Sequence, residues 1–249
     1  QGEGVKLLYH PPHLVTPSEM KVVYAMSSIT IPAEPHAVTV DLDATALIVI
    51  DMQKDFLYPN GFGAFLGNDV TLLQRTIGPI QQMLAAARAR DMLIIHTREG
   101  HLPDLSDCPL TKLDRWAPGT RIGDVGPMGR ILIRGEEGHG IIDEVAPLPG
   151  EIVLDKPGKS SFYATNLDAL LQQHGIRNLL VTGVTTDVCC SATVIGANDR
   201  GFNALVLADC VSSYSPERHA ATLETIKAQG GIFGWVTDSA AVLQAWPTA

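Results

Sequence analysis

The sequence predicts an α/β protein in which helices cover both faces of a parallel sheet. Short β-rich runs alternate along the chain with stretches whose apolar residues recur at helical spacing. The 249-residue chain is 45% hydrophobic and 18% charged, a composition typical of a folded globular protein. Together, the alternation and the composition favour a single domain with a sizeable core.

Six short β-rich runs are predicted to be strands, and four longer stretches between them are predicted to be helices. The strands are residues 45–51, 92–97, 151–155, 178–183, 203–209 and 231–236. The helices are residues 72–90, 165–173, 188–199 and 216–229, the last beginning at Pro216, a residue suited to a first helical turn. Because strands alternate with helices, the sheet should be parallel and buried on both faces.

Two segments lack this alternation. Residues 1–43 contain five prolines and little periodicity, so we predict an extended N-terminal arm that wraps the body or a partner subunit, with the main domain over residues 44–249. Residues 100–140 are crowded with Gly, Pro, Asp and His. This stretch is long for a structureless connection, and we predict a partly ordered loop that borders a site.

Charge and hydropathy exclude several classes of function. The net charge of −9 and the lack of a basic stripe argue against nucleic acid and anionic membranes as partners. No apolar run approaches the roughly 20 residues that span a bilayer. The N-terminus lacks the features of a signal peptide, so we expect a cytoplasmic protein. The four cysteines fit no metal-binding spacing and are expected to be reduced thiols.

Three predicted strands lead into residues that could carry chemistry: Asp51, Lys156 and Cys189. Ligands of an open parallel sheet collect beyond the carboxyl ends of its strands, where these residues would converge. A cysteine that enters a helix is a candidate nucleophile, because the helix N-terminus favours its thiolate. Taken singly, Cys189 could be a core residue, Asp51 a helix cap and Lys156 a surface lysine. Their shared location favours catalysis.

Three motifs carry a family resemblance: IVIDMQKDF (48–56), DKPGKSSFYAT (155–165) and VTGVTTDVCCSATVIGANDRGF (181–202). In order and spacing they resemble the signatures of the isochorismatase-like cysteine hydrolases, over roughly residues 45–246. The resemblance implies a Rossmann-like, three-layer α/β/α fold with a six-stranded parallel sheet. It also implies that Asp51, Lys156 and Cys189 form a triad that hydrolyses amides through a cysteine thioester, with neither a metal nor another cofactor.

The third motif carries further implications of the same resemblance. Relatives have a non-proline cis peptide here, which would join Val184 to Thr185 and aim the N–H groups of Thr185 and Cys189 at an oxyanion. Cys190 stands where relatives have a small aliphatic residue. This implies that Cys190 fills the core. Adjacent residues on a helix point about 100° apart, so both thiols cannot address the same substrate carbon. The resemblance also favours a homo-oligomer, with a tetramer as the expected state.

Several segments are similar to one branch of the family, the biuret and triuret hydrolases. In that branch the second Lys of K-P-G-K and the Gln of the QGG segment lie near the substrate carbonyls, which implies Lys159 and Gln229 here. A lysine and a glutamine suit a small uncharged ureide, because they supply donors to its carbonyls. Phe56 and Tyr163 are candidates for apolar walls. The expected reaction is cleavage of a C–N amide bond of biuret or triuret.

Other readings stay open at this point. A ureidoacrylate- or N-carbamoyl-type amidohydrolase is close, although such relatives commonly have K-P-R-Y-S where this chain has K-P-G-K-S. The nicotinamidase metal motif D-x-H-x-x-H is not matched, since His96 and His101 are wrongly spaced and no matching Asp is present. A metal-dependent phosphatase is disfavoured by Gln53 in DMQKDF, and a nucleotide-binding module by the lack of a Gly-rich loop after the first strand.

Overall fold

The computed structural model describes residues 28–246, and a six-stranded parallel sheet lies at its centre. In chain order the strands are β1 (Ser28–Ile31), β2 (Val38–Asp41), β3 (Thr45–Ile50), β4 (Leu93–Glu99), β5 (Val125–Gly126), β6 (Gly129–Arg130), β7 (Ile152–Lys156), β8 (Asn178–Val184), β9 (Asn203–Ser212) and β10 (Trp235–Thr237). The central sheet has the order β10-β9-β8-β3-β4-β7, and all its neighbouring strands run parallel. Its six strands are the six that the sequence predicts.

The strand order places a crevice between β3 and β8. From β3 the chain moves outward to β4 and β7, then returns to the other side of β3 to form β8, β9 and β10. This is the doubly wound order of Rossmann folds, in which the ligand site lies where the direction of winding reverses. The residues that follow β3 and β8 therefore lie at the position where such a fold forms its site.

Helices flank the sheet and connect its strands. They are α1 (Lys54–Leu57), α2 (Phe62–Phe65), α3 (Thr71–Gln74), α4 (Ile77–Arg88), α5 (Leu110–Leu113), α6 (Leu167–Gln173), α7 (Ser191–Asn198), α8 (Pro216–Gly231) and α9 (Ser239–Ala245). The predicted helix 72–90 is split between α3 and α4, where Thr76 donates its N–H and its hydroxyl to the Leu73 carbonyl. None of the helices within residues 28–246 is both long enough and apolar enough to cross a membrane.

Strand β3 shows how the sheet is buried on both faces. Leu47 and Val49 pack into one core cluster with residues of α4, while Ala46, Ile48 and Ile50 pack into a second with residues of α6 and α7. All six residues of β3 are buried, which explains why its sequence is apolar from Ala46 to Ile50. Helices, sheet and helices thus form three layers, and the predicted fold class is confirmed.

The segments outside the alternating pattern also have structure. Strands β1 and β2 pair antiparallel, and their buried residues join the core cluster that contains α4. The rest of the predicted arm, residues 1–27, lies outside the described residues, as do residues 247–249. The loop 100–140 contains a small apolar cluster that includes Cys108, Ile122 and Ile131. This cluster supports a folded loop.

Candidate active site

Asp51, Lys156 and Cys189 meet at the carboxyl edge of the sheet, as the sequence predicts. The Lys156 ammonium lies 2.8 Å from Oδ2 of Asp51 and 3.5 Å from Sγ of Cys189, and it donates to the Gly158 carbonyl at 2.9 Å. The contact with Asp51 is an ion pair, whereas the ammonium donates hydrogen bonds to the sulfur and to the carbonyl. Because Asp51 and Lys156 are fully buried, this arrangement fixes the ammonium beside the thiol.

The backbone and side chain of Asp51 are both held by β4. Its N–H donates to the Thr97 carbonyl at 3.1 Å, and its Oδ1 accepts from the Thr97 hydroxyl at 2.7 Å. Asp51 has a φ of 50°, a left-handed conformation that is costly for a residue with a side chain. Such strained residues persist where the surrounding structure holds them, which is typical of functional sites.

The turn after β8 presents Cys189 to the cleft. Gly183 has a φ of 106°, and a Cβ there would collide with the Ile50 backbone. One residue further on, the peptide bond between Val184 and Thr185 is cis, as predicted. Residues Thr186–Cys190 then form one π-helical turn that leads into α7. Cys190 is buried in the core and does not line the cleft, in agreement with its predicted role as a core residue.

A second carboxylate, which the sequence analysis missed, lies beside the nucleophile. Glu99 ends β4 and is buried, with Oε2 positioned 3.6 Å from Sγ of Cys189 to accept the thiol hydrogen. Gln53 fixes its backbone: the Glu99 N–H donates to Gln53 Oε1 at 2.6 Å, and Gln53 Nε2 donates to the Glu99 carbonyl at 3.0 Å. The Lys159 ammonium donates to both carboxylate oxygens, at 2.6 and 2.9 Å.

The loop 100–140 supplies another counter-charge to Glu99. Lys112 on α5 lies 3.7 Å from the Glu99 carboxylate and donates to His101 Nε2 at 3.0 Å. Since an ammonium can only donate, Nε2 of His101 accepts and its Nδ1–H faces Asp107 at 3.1 Å. Burial and the Lys112 charge lower the pKa of His101, which favours the neutral ring that this arrangement requires. The loop is thereby connected to the site through neutral His101.

Cys189 opens onto a cleft of about 300 Å³. Its lining residues are Phe56, Phe62, Gly63, Leu66, Asn68, Glu99, Trp116, Leu132, Lys159, Val184, Thr185, Asp187, Val188, Cys189, Ser213, Tyr214 and Arg218. Trp116 and Leu132 come from the loop 100–140, which therefore borders the site as predicted. A cleft of this size suits a substrate of few heavy atoms.

The predicted substrate-binding residues separate into two pairs. Phe56 and Lys159 line the cleft. Tyr163 does not line it: its side chain is exposed and packs over Gly158. Gln229 is likewise exposed and outside the cleft. The helical geometry of α8 ends at Ala228, and Gln229 has a φ of 52°. Within residues 28–246 of one chain, the structure thus brings only the first pair to the nucleophile.

The histidines near the site are structural within the described chain. His96 is buried in β4 with Nε2 at 3.0 Å from Glu151, and His139 is buried with Nε2 at 3.4 Å from Asp155. Neither these two nor His101 lines the cleft. Burial lowers the pKa of His139 to about 4, so its ring is neutral near pH 7.

The groups of the site differ in their protonation states: two of them form a charged pair, and the thiol is neutral. Burial opposes the charge of Lys156, but the adjoining Asp51 carboxylate overrides that effect and raises the lysine pKa. Burial and the Asp51 carboxylate both raise the pKa of the Cys189 thiol well above its usual range. The resting site therefore holds an ion pair beside a protonated thiol, and a carboxylate must take the thiol proton during reaction.

This protonation state predicts the pH dependence of alkylation. The rate at which iodoacetamide modifies Cys189 should rise continuously from about pH 6 to about pH 9, because only the thiolate reacts and its fraction grows with pH. Mass spectrometry of the modified peptide measures that rate, and Cys189→Ser supplies the background from the other cysteines. A plateau below about pH 7 would show a resting thiolate instead.

The site also has a spacing that a metal ion could use. One oxygen each of Asp51 and Glu99 and the Cys189 sulfur lie within 4.8 Å of one another. The Lys156 ammonium already contacts two of these three groups, at 2.8 and 3.5 Å, and supplies a positive charge there. The groups that could bind a metal ion therefore already have the Lys156 ammonium as a cationic neighbour. Catalysis without a metal stays a prediction.

The doubly wound sheet and the cysteine at its switch point define the class of this protein, an α/β cysteine hydrolase. The isochorismatase domain family matches residues 45–241, and the chain belongs to that family. The predicted family is thereby confirmed, as is the predicted kind of enzyme, a cysteine-dependent amidohydrolase.

Individual relatives support this membership. The chain is 33% identical to a ureidoacrylate amidohydrolase RutB of Methylorubrum extorquens over 222 residues, which are 86% of this chain and 87% of that protein. A cysteine hydrolase from Pseudomonas syringae pv. phaseolicola superposes with a TM-score of 0.71 at 28% identity, covering 83% of this chain and 93% of that one. N-carbamoylsarcosine amidase from Thermoplasma acidophilum gives a TM-score of 0.59 at 26% identity, with coverages of 78% and 96%.

Proposed function

We propose that this protein hydrolyses the carbamoyl C–N bond of a small ureido compound, with Cys189 as the nucleophile. One observation carries the proposal. Cys189 Sγ lies in the cleft, 3.5 Å from Lys156 Nζ, and the same Nζ lies 2.8 Å from Oδ2 of Asp51. A thiol, a carboxylate and a fixed cation are the groups that attack on a carbonyl needs. The roles below are proposals for each residue.

In the acylation half of the reaction, Asp51 takes the proton of the Cys189 thiol. The sulfur attacks the substrate carbonyl, and the N–H groups of Thr185 and Cys189 stabilise the resulting oxyanion. Both residues line the cleft. The tetrahedral intermediate breaks its C–N bond while Asp51 returns the proton to the leaving nitrogen. An acyl thioester and a free amine or ammonia result.

In the second half, water completes the hydrolysis. Asp51 takes a proton from the water, whose oxygen attacks the thioester carbonyl. The C–S bond then breaks, the thiolate takes the proton back from Asp51, and the acid product leaves. Lys156 keeps its proton throughout and stabilises both the thiolate and the Asp51 carboxylate, since each carries negative charge at a different step.

The relatives support a ureido acid as the substrate. Ureidoacrylate and N-carbamoylsarcosine, which name two relatives, share a terminal carbamoyl group on nitrogen and a carboxylate at the other end. In this chain Arg218 lines the cleft at its rim, with a side chain that is 64% exposed and paired with Asp187 at 3.0 Å. A guanidinium suits a carboxylate because it donates two parallel hydrogen bonds. The carbamoyl group would then reach Cys189.

Biuret and triuret are the second candidate substrates, since they carry the carbamoyl group without a carboxylate. The observation in their favour is the ion pair of Lys159 with Glu99, because Glu99 neutralises the positive charge of Lys159 in the cleft. The resemblance of K-P-G-K-S to the biuret hydrolase branch also favours biuret and triuret as substrates. Ammonia release from ureidoacrylate, N-carbamoyl amino acids, biuret and triuret tests the proposal, and no release from any of them would refute it.

Arg218→Gln separates the two substrate classes. We expect the KM for a ureido acid to rise about tenfold, because the lost charge-assisted hydrogen bonds act on the carboxylate alone. The KM for biuret should change less than about twofold. Steady-state ammonia assays measure both values, with Arg90→Gln, an exposed arginine outside the cleft, as the matched control. Equal effects of Arg218→Gln on both substrates would rule out this contact.

A further inference from the structure

Glu99 lies beside the nucleophile, yet the hydrolysis proposed above uses only Asp51 as its base. Its side chain is 1% exposed, and its Oε2 lies 3.6 Å from the Cys189 sulfur. Burial opposes its ionisation, but the ammonium groups of Lys159 and Lys156 lower its pKa, so it is a carboxylate near neutral pH. An ionised group buried this deeply is costly unless it is paired. Its presence at this position therefore requires a function or a partner.

Glu99 forms two ion pairs within the described residues, and only one of these partners faces the cleft. Lys159 donates to both carboxylate oxygens, and its side chain is 46% exposed along the cleft wall. Lys112 lies farther away at 3.7 Å, is held by His101 and the Pro157 carbonyl, and does not line the cleft. Towards the substrate, Glu99 thus neutralises Lys159. Without Glu99, an unpaired ammonium would face the nucleophile.

The charges of the cleft form two separate pairs. Glu99 with Lys159 lies at the buried inner end next to Cys189, whereas Asp187 with Arg218 lies at the exposed rim. A carboxylate that entered the inner end would approach Glu99 in a region that water screens poorly. A carbamoyl group fits there, because its NH₂ can donate to Glu99 while its carbonyl accepts from the N–H groups proposed to stabilise the oxyanion.

We propose that Glu99 is a specificity-determining residue that admits the uncharged carbamoyl end of the substrate to Cys189 and keeps carboxylates at the rim. The inference rests on the proposed function and deepens it. It explains how one cleft can bind a ureido acid in a single direction. It also explains why biuret and triuret, which carry no carboxylate, fit the same inner end.

A pair of alkylating reagents tests this selectivity without any substrate. Iodoacetamide and iodoacetate differ in an amide against a carboxylate of nearly equal size, and both react with the same thiolate. The ratio of their rates at Cys189 therefore cancels any change in the thiol pKa. We expect Glu99→Gln to raise the iodoacetate-to-iodoacetamide ratio at least about tenfold at low ionic strength, because Lys159 loses its counter-charge.

Lys159→Met is the matched variant, because it removes a positive charge from the cleft wall where Glu99→Gln removes a negative one. It removes the only counter-charge of Glu99 that lines the cleft within the described residues, so the same ratio should fall several-fold. Peptide mass spectrometry reads the modification at Cys189, and circular dichroism shows whether each variant is folded. An unchanged or lower ratio in folded Glu99→Gln would overturn the proposal. If that variant does not fold, a Lys159→Met ratio that fails to fall would overturn it.

The same experiment keeps this inference apart from the proposed function. The alkylation ratio depends on charge at the inner end of the cleft and needs no turnover. If no ureido compound released ammonia, the proposed function would be refuted, and the alkylation ratio would still test the role of Glu99. If ureides were hydrolysed and the ratio did not change in Glu99→Gln, the function would stand and the role of Glu99 would fail.

Discussion

Cys189→Ser should lower turnover of every accepted ureido compound by at least about 1,000-fold, while Cys190→Ser retains most of it. A hydroxyl beside the Asp51–Lys156 pair is a much poorer nucleophile than a thiol, because its proton is far harder to remove. Cys190 is buried among core residues and does not line the cleft. The measurement is ammonia release by purified protein at saturating substrate.

The adjacent cysteines make this comparison well controlled. Both substitutions exchange one sulfur for one oxygen in the same π-helical turn, and both positions are buried. A general disturbance of the turn would affect the two variants alike. A loss of turnover in Cys190→Ser with retention in Cys189→Ser would show that the nucleophile is the second cysteine, and the proposed mechanism would have to be abandoned.

The fold could be predicted from the sequence because burial controls the sequence of the strands. Strand β3 is apolar from Ala46 to Ile50 because both of its faces pack into core clusters, and shorter apolar runs mark the other parallel strands. The last strand is less well predicted, since it begins at Trp235 and not at residue 231. Gln229, Gly230 and Gly231 all have positive φ values, of 52°, 83° and 93°, and they interrupt regular structure before the strand.

The site was predictable only where its residues follow strands. Asp51, Lys156 and Cys189 are found from the rule that strand ends meet at one edge of the sheet. The same rule would have found Glu99 if the predicted second strand had been extended from residue 97 to 99, where β4 ends. Lys112 and His101 give no such signal, because they reach the site through an irregular loop whose path local sequence does not specify.

Lys156→Met should abolish turnover and lower the free energy of unfolding by about 3–5 kcal/mol. The substitution leaves the fully buried Asp51 carboxylate without the ammonium that lies 2.8 Å from it. Removing one member of a buried ion pair costs more than removing both, because an unpaired charge stays in the interior. Urea unfolding measures the change in stability, and ammonia release measures the change in activity.

The double variant Asp51→Asn with Lys156→Met separates these two effects. It removes both charges together, and the asparagine can still accept the Thr97 hydroxyl that donates to Asp51 at 2.7 Å. We therefore expect it to recover about 2 kcal/mol or more of the lost unfolding free energy while turnover stays undetectable. Recovered activity in the double variant would mean that the pair only supports the fold. A double variant that is stable and inactive would show that the charges are needed for the chemistry at Cys189.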